Sequence, residues 1–275
     1  MRHYSGSDPD KFQWAEMWAV AKRILLFLSG VYLLLTVGVH FLALDRLFPM
    51  APVRYKLTSE YVQLTASDGV KIIGRHWANP GAKFTLLYLH GNFEDLGRVG
   101  EYVPAFLRAG YAVFSMDYRN YGQSGGKPTE MNTCADVRLA YEYMRKQLGV
   151  PADRIIIWGY SVGSGPAVEL ALHQPAAGIV LQGAFVSVYR TMTGIPLFLG
   201  DKFVNLNKVP QLSMPVFLIH GMDDTTVPLW HAQALYAATN ARKASLFIPG
   251  GQHGGLADYA GSVYWEELKK FTDSL

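Results

Sequence analysis

Trp158-Gly159-Tyr160-Ser161-Val162-Gly163 ends the apolar run Arg154–Trp158 and opens at once onto a helical stretch, Ser164–His173. G-x-S-x-G carries meaning in this place, between a strand and a helix. A sharp turn there strains the serine and lifts its hydroxyl clear of the backbone. Glycines flank it because a Cβ at either position meets the neighbouring strand and helix. The helix N-terminus favours developing negative charge. A serine in a merely structural turn is the plain alternative, and the rest of the chain decides between the two.

On either side of this turn, short runs that are apolar throughout alternate with helical stretches. Strands are predicted at Phe84–Leu89, Ala112–Met116, Arg154–Trp158, Gly178–Leu181, Val216–Ile219 and Ser245–Ile248. Helices are predicted at Leu96–Ala109, Asn132–Leu148, Ser164–His173, Leu229–Thr239 and Ser262–Phe271. Strands apolar on both faces belong to a parallel sheet covered by helices. Ahead of them, the alternating runs Tyr61–Thr65 and Val70–Trp77 meet at Ser67-Asp68-Gly69, a hairpin signal. The expected class is α/β, a mostly parallel sheet of about eight strands flanked by helices. In such sheets functional groups gather at the carboxyl ends of the strands.

Two more strand ends supply what the serine needs. His220-Gly221-Met222-Asp223-Asp224 closes the seventh strand, and Gly250-Gly251-Gln252-His253-Gly254 follows the eighth. Ser, Asp, His is the chain order expected on this sheet. A serine hydroxyl is a poor nucleophile until an imidazole takes its proton, and the imidazole needs a carboxylate to fix its tautomer. Ser161 is read as nucleophile, His253 as general base and then acid, and Asp224 as the orienting carboxylate, with Asp223 beside it. Strand three ends in His90-Gly91-Asn92, so the backbone N–H groups of Asn92 and Val162 are the expected oxyanion hole. This chemistry needs no metal and no organic cofactor. His90 and His220 are read as structural, and Asp117 and Asp136 as tying the Tyr118–Gly126 loop and capping a helix.

Net charge is only +3 and no run of Lys or Arg exceeds two, which gives no footing for nucleic acid. Cys134 is the one cysteine, so there is no internal disulfide and no cysteine-based metal cluster. Ile24–Leu44 holds no Asp, Glu, Lys or Arg, between Lys22-Arg23 and Asp45-Arg46. At ~1.5 Å per residue it reaches about 30 Å, the thickness of a bilayer's hydrocarbon core. A cleaved signal peptide has a shorter apolar core and a small-residue cleavage site, and none is evident after Leu44. A buried core helix would show an apolar stripe, not an apolar circumference. The reading is a single-pass membrane anchor at 24–44, after a tail at 1–23 and before a linker at 45–57. The α/β domain occupies 58–275. Arg2, Lys11, Lys22 and Arg23 precede the anchor while Arg46, Arg54 and Lys56 follow it, a small balance toward a cytoplasmic N-terminus with the domain across the membrane. Between strands six and seven, Ala184–Ser213 is the place for a cap. Phe185, Tyr189 and Phe198 there are read as tentative contacts for an acyl chain, or else as packing of the domain.

From about residue 58 to 275 the chain resembles the α/β-hydrolase superfamily, in the branch with protein depalmitoylases and single-pass membrane hydrolases. The motifs that carry the resemblance are HGNFEDLG at His90–Gly97, DYRNYGQSGGKPTE at Asp117–Glu130, and GYSVGSGPAVELA at Gly159–Ala171. DKFVNLNKV at Asp201–Val209 and HGMDDTTVP at His220–Pro228 complete them. In that family the acid is the fifth residue of the HGxxD motif, which implies Asp224 over Asp223. Two departures stand out. The depalmitoylase branch attaches through an N-terminal cysteine cluster that this chain lacks, and its Asn-Asp after the histidine is Gly254-Gly255 here. The resemblance implies hydrolysis of an ester or thioester, of a lipid or an S-acylated protein, through an acyl-enzyme. A peptidase with the same triad and a binding protein with a disused triad are the alternatives.

Overall fold

The long helix α1, Pro9–Leu47, begins the described part of the chain; the computed structural model describes residues 9–49 and 52–275. Residues 1–8 of the tail and residues 50 and 51 of the linker lie outside it. Within α1, Glu16–Leu42 contains an 18-residue window of mean hydropathy 2.1, and every described side chain from Glu16 to Leu35 is exposed. The helix is therefore long and apolar enough to cross a bilayer. It does not stop at Leu44. It runs on to Leu47, and Leu47 and Phe48, inside the stretch read as a linker, are buried in the domain. Phe48 packs edge-on against Tyr118, Tyr121 and Phe203.

The domain proper opens with β1 (Tyr61–Thr65) and β2 (Lys71–Trp77), an antiparallel hairpin. Gly69 takes the positive φ of +81° that its tight turn requires. There follow β3 (Thr85–Leu89), α2 (Leu96–Arg108), β4 (Ala112–Met116), α3 (Glu130–Lys146) and β5 (Ile155–Tyr160). The chain continues through α4 (Ser164–His173), β6 (Gly178–Gln182), α5 (Val188–Thr193), β7 (Val216–Gly221), α6 (Trp230–Ala238), β8 (Lys243–Ile248), α7 (Leu256–Ala260) and α8 (Ser262–Asp273). The eight strands lie in the order β1-β2-β4-β3-β5-β6-β7-β8, with β2 antiparallel to β4 and every later pairing parallel. Strands β3 to β7 are buried almost throughout, because helices cover both faces.

Side chains alternate along each strand between two cores. Leu87, Leu89, Phe114, Ile155, Ile157 and Ile179 point into one; Leu86, Tyr88, Ile156, Trp158 and Val180 point into the other. Helix α2 starts at Asp95, whose carboxylate accepts from the Arg98 N–H at 2.9 Å. Helix α3 starts at Thr129 in a reciprocal capping box with Asn132. The caps are thus Asp95 and Thr129. Asp136, expected to cap, sits inside α3 and is ion-paired to Arg119 at 2.7 Å. Arg119 also reaches Asp68, so this cluster ties the 118–126 loop to the hairpin turn.

Candidate active site

Four strand ends converge. At the end of β5, Ser161 adopts a φ of +52°, a left-handed conformation that few non-glycine residues hold. The flanking glycines permit it. A Cβ on Gly159 would come 2.6 Å from the Ser164 Cα and 2.7 Å from the Ala167 Cβ, and one on Gly163 would collide with the Leu89 carbonyl. The turn thus lies wedged between β3 and the first turn of α4, with the hydroxyl of Ser161 facing outward.

His253, in the loop after β8, receives that hydroxyl: the Ser161 O–H donates to Nε2 at 2.8 Å. On the other side of the ring, Nδ1–H donates to Asp224 Oδ2 at 2.6 Å. The second carboxylate oxygen of Asp224 accepts from the Thr226 and Val227 N–H groups, each at 2.8 Å. Burial opposes the charge of Asp224, but the bond to His253 and the Val227 amide outweigh it and hold the carboxyl below its usual pKa. Asp223 faces solvent and uses only its backbone N–H, toward Gly251. The structure therefore joins Ser161, His253 and Asp224 in one chain of hydrogen bonds and leaves Asp223 out of it.

The imidazole is held by its surroundings as well. The Tyr160 ring lies 5.5 Å from it, centroid to centroid, and the edge of the imidazole passes over Gly183, where a Cβ would come 3.0 Å from His253 Cε1. Below Asp224, buried His220 bonds to the Val227 carbonyl at 2.7 Å, and burial lowers its pKa. His90 is buried too and bonds the Gly91 carbonyl; burial lowers its pKa to about 4, so it stays neutral. Both act as neutral supports of strand ends. Asp117 is also buried, held by the Leu96 N–H and the Tyr55 hydroxyl, and burial raises its pKa to about 7.

A cavity of about 260 Å³ opens in front of Ser161. Asn92 and Val162 line it beside the serine, together with Leu47, Phe185, Val188, Met192 and Val227. Val162 stands at the N-terminal turn that leads into α4, where helix amides lack intrahelical partners. Of the three residues expected to touch an acyl chain, Phe185 lines the cavity. Tyr189 and Phe198 do not. Tyr189 is buried with its hydroxyl on His40 of α1, and Phe198 stacks on Tyr32. The cause is α1, which lies beside the cap and draws both rings away from the serine. A larger cavity of about 710 Å³ opens beside Glu130, Cys134 and Lys208. The Cys134 thiol on its wall has a pKa that burial pushes up to about 12, so it stays protonated.

The chain reading did not include Glu94, Gly183, Leu47 or Met192. Glu94 is a buried carboxylate that accepts from the Gly91 N–H and the Tyr102 hydroxyl, both at 2.8 Å, and so braces the turn carrying Asn92. Glu94 lies inside the HGNFEDLG motif without a role of its own being evident there; the other three lie outside the motifs, and each of the four matters through what folds against it.

Solved structures superpose on this fold. An esterase from Pyrococcus furiosus matches with a TM-score of 0.69 at 20% identity, covering 82% of this chain and 97% of that one. A Rhodococcus esterase matches with a TM-score of 0.62 at 20% identity, covering 78% and 99%. The sheet order, the strained serine turn and the three strand-end side chains define a serine hydrolase of the α/β-hydrolase fold. A family model described as serine aminopeptidase, S33, matches residues 80–209. The human alpha/beta hydrolase domain-containing protein 17B is 34% identical over 198 residues, 70% of this chain and 67% of that one. The Caenorhabditis elegans alpha/beta hydrolase domain-containing protein aho-3 is 34% identical over 197 residues, 70% of this chain and 59% of that one. The chain belongs to the α/β-hydrolase superfamily.

Proposed function

We propose that this chain is a membrane-anchored serine hydrolase that cleaves a carboxylic ester or thioester carrying an acyl group. The observation that carries the reading is the unbroken Ser161–His253–Asp224 hydrogen-bond chain at the floor of a cavity with both apolar and polar walls. Ser161 Oγ attacks the acyl carbonyl as its proton passes to His253 Nε2. Asp224 stabilises the imidazolium. The backbone N–H groups of Asn92 and Val162 receive the oxyanion; loss of one such donor typically costs about 100- to 1,000-fold in rate. His253 then protonates the leaving oxygen or sulfur, and water, activated by the same imidazole, releases the acid. Helix α1 holds the domain to the bilayer, and the Leu47, Phe185, Val188 and Met192 side chains suit an acyl chain.

The description of the matching family model as an aminopeptidase favours a second reading, peptide hydrolysis. An aminopeptidase needs an acidic group to hold the substrate's α-ammonium, and no Asp or Glu is among the residues lining the cavity. A series of esters and thioesters of rising acyl length, measured against peptide amides, separates the two. Each buried CH₂ contributes up to ~0.8 kcal/mol, so four further carbons raise kcat/KM by about 100-fold until the cavity is full. A flat profile with efficient amide cleavage would promote the peptidase. Covalent labelling of Ser161 by a fluorophosphonate distinguishes either enzyme from a binding protein.

A further inference from the structure

Between Arg190 and Asp201 the cap carries ten residues with no charge, Thr191–Gly200. Four of them expose large apolar side chains: Met192, Ile195, Leu197 and Leu199, the last 70% exposed. A contiguous apolar surface of this kind on a soluble face is a liability. It is not an isolated flap, because it is fastened to α1. The Tyr32 hydroxyl donates to the Leu197 carbonyl at 3.1 Å, and the Tyr32 ring stacks on Phe198 at 6.3 Å. Tyr32 lies inside the apolar stretch Glu16–Leu42, ten residues before its end. That is about 15 Å along the helix axis, half the ~30 Å hydrocarbon core.

A loop placed among lipid chains must satisfy its own backbone. Here the Gly194 N–H donates to the Arg190 carbonyl at 3.0 Å and the Leu197 N–H to the Ile195 carbonyl at 2.9 Å. The Thr193 hydroxyl bonds the Tyr189 carbonyl at 3.0 Å and the Ile195 carbonyl at 2.7 Å. Pro196 has no N–H to satisfy. The Ile195, Phe198, Leu199 and Gly200 N–H groups make no bond within the loop, so its backbone belongs at the level where headgroups and water can serve them, with the apolar side chains directed to the acyl chains.

We infer that the loop Gly194–Gly200 inserts its apolar side chains, beside α1, into the leaflet next to the domain, so that the catalytic cavity takes its substrate from the lipid side. The occupant of the exposed face is the acyl region of the bilayer. Two apolar surfaces that touch each other share one solvent, and the exposed circumference of α1 requires that solvent to be lipid. Thr191 and Met192 link the loop to the cavity, because both line its wall in front of Ser161. This inference rests on the reading of α1 as a membrane-spanning helix.

The test uses the full chain in phosphatidylcholine nanodiscs that contain a lipid spin-labelled on its acyl chain. In a Cys134→Ala background, single cysteines from Leu199→Cys, Leu34→Cys and Asp153→Cys carry an environment-sensitive fluorophore. Leu34 reports the anchor, and Asp153, exposed at the opposite end of the sheet, reports water. Probes at residues 199 and 34 are expected to be quenched several-fold more than the probe at residue 153. Quenching at 34 with none at 199 overturns the inference and leaves the anchor standing. A blue-shifted but unquenched probe at 199 means a protein partner, and also overturns it. Quenching at neither position removes the anchor reading and the inference together. In a second measurement, Leu197→Asp with Leu199→Asp is expected to lower turnover of a long-chain ester dispersed in vesicles about 10-fold and to leave hydrolysis of a soluble short-chain ester unchanged. Equal loss on both substrates would overturn the inference.

Discussion

In the proposed mechanism a proton passes between Ser161 and His253, which makes the three residues a unit whose members fail together. Ser161→Ala and His253→Ala are each expected to cost on the order of 10⁴- to 10⁶-fold in kcat while the fold survives, as kinetics and circular dichroism will show. Asp224→Asn leaves the imidazole without its Nδ1 acceptor and is expected to lose about 10⁴-fold. Asp223→Asn, at a solvent-facing side chain, is expected to change the rate less than a few-fold, and the reverse ranking would reassign the acid. Asp117 gives a pH prediction. Burial raises its pKa from 3.8 to about 7, so between those values the folded protein holds the proton more tightly than the unfolded chain does. Its contribution to stability is full below about pH 4 and is lost as pH rises through about 7. Relative to Asp117→Asn in detergent, the wild-type protein should therefore lose Tm as pH rises from 4 to 7. A constant difference would show that Asp117 does not titrate there. The three residues were legible in the chain because each follows the end of a predicted strand within a short glycine-containing window. Gly183 and Glu94 were not, because their importance comes from a ring and a turn that fold onto them.

At the scale of elements, the serine turn depends on how closely α4 approaches β3. Gly163→Ala sets a methyl against the Leu89 carbonyl, a backbone atom that cannot swing aside. Overpacking of this kind typically costs about 1–3 kcal/mol. Expected together are a lower Tm and a fluorophosphonate labelling rate reduced about 100-fold or more; normal labelling would mean that the turn tolerates a shift. Most strands and helices were legible, because a buried parallel sheet requires apolar runs and its crossovers require helical periodicity. Where their ends moved, they moved by one or two residues. Helix α3, for example, starts at Glu130 and not at Asn132, since Thr129 supplies the cap. The short helices α5 and α7 are too brief to show a period in the sequence.

At the scale of the whole molecule, α1 and the domain form one packed body through Leu47, Phe48, Tyr32 and His40. Phe48 fills a site among Tyr118, Tyr121 and Phe203, next to the loop that follows β4. Phe48→Ala is expected to destabilise the domain by about 3–5 kcal/mol in denaturant titration. A negligible change would show that the end of α1 is a mere tether. The full chain should resist carbonate extraction from membranes, since an inserted helix is held by apolar burial and not by charge. Release by carbonate would count against the anchor.

What the amino-acid sequence determined alone is whatever depends on local pattern. The alternation of apolar strands and helices, the glycine-flanked Ser161, the acid and the histidine at later strand ends, and the apolar length of Ile24–Leu44 all lie within short windows of the chain. Tertiary structure alone decided which side chains face Ser161. Phe185, Tyr189 and Phe198 look alike in the chain, yet Phe185 lines the cavity while Tyr189 and Phe198 turn to α1, some 150 residues away in sequence. The physical reason is that an aromatic side chain carries no address of its own. It packs against whichever apolar surface the fold brings nearest, and for Tyr189 and Phe198 that surface is the helix at the other end of the chain.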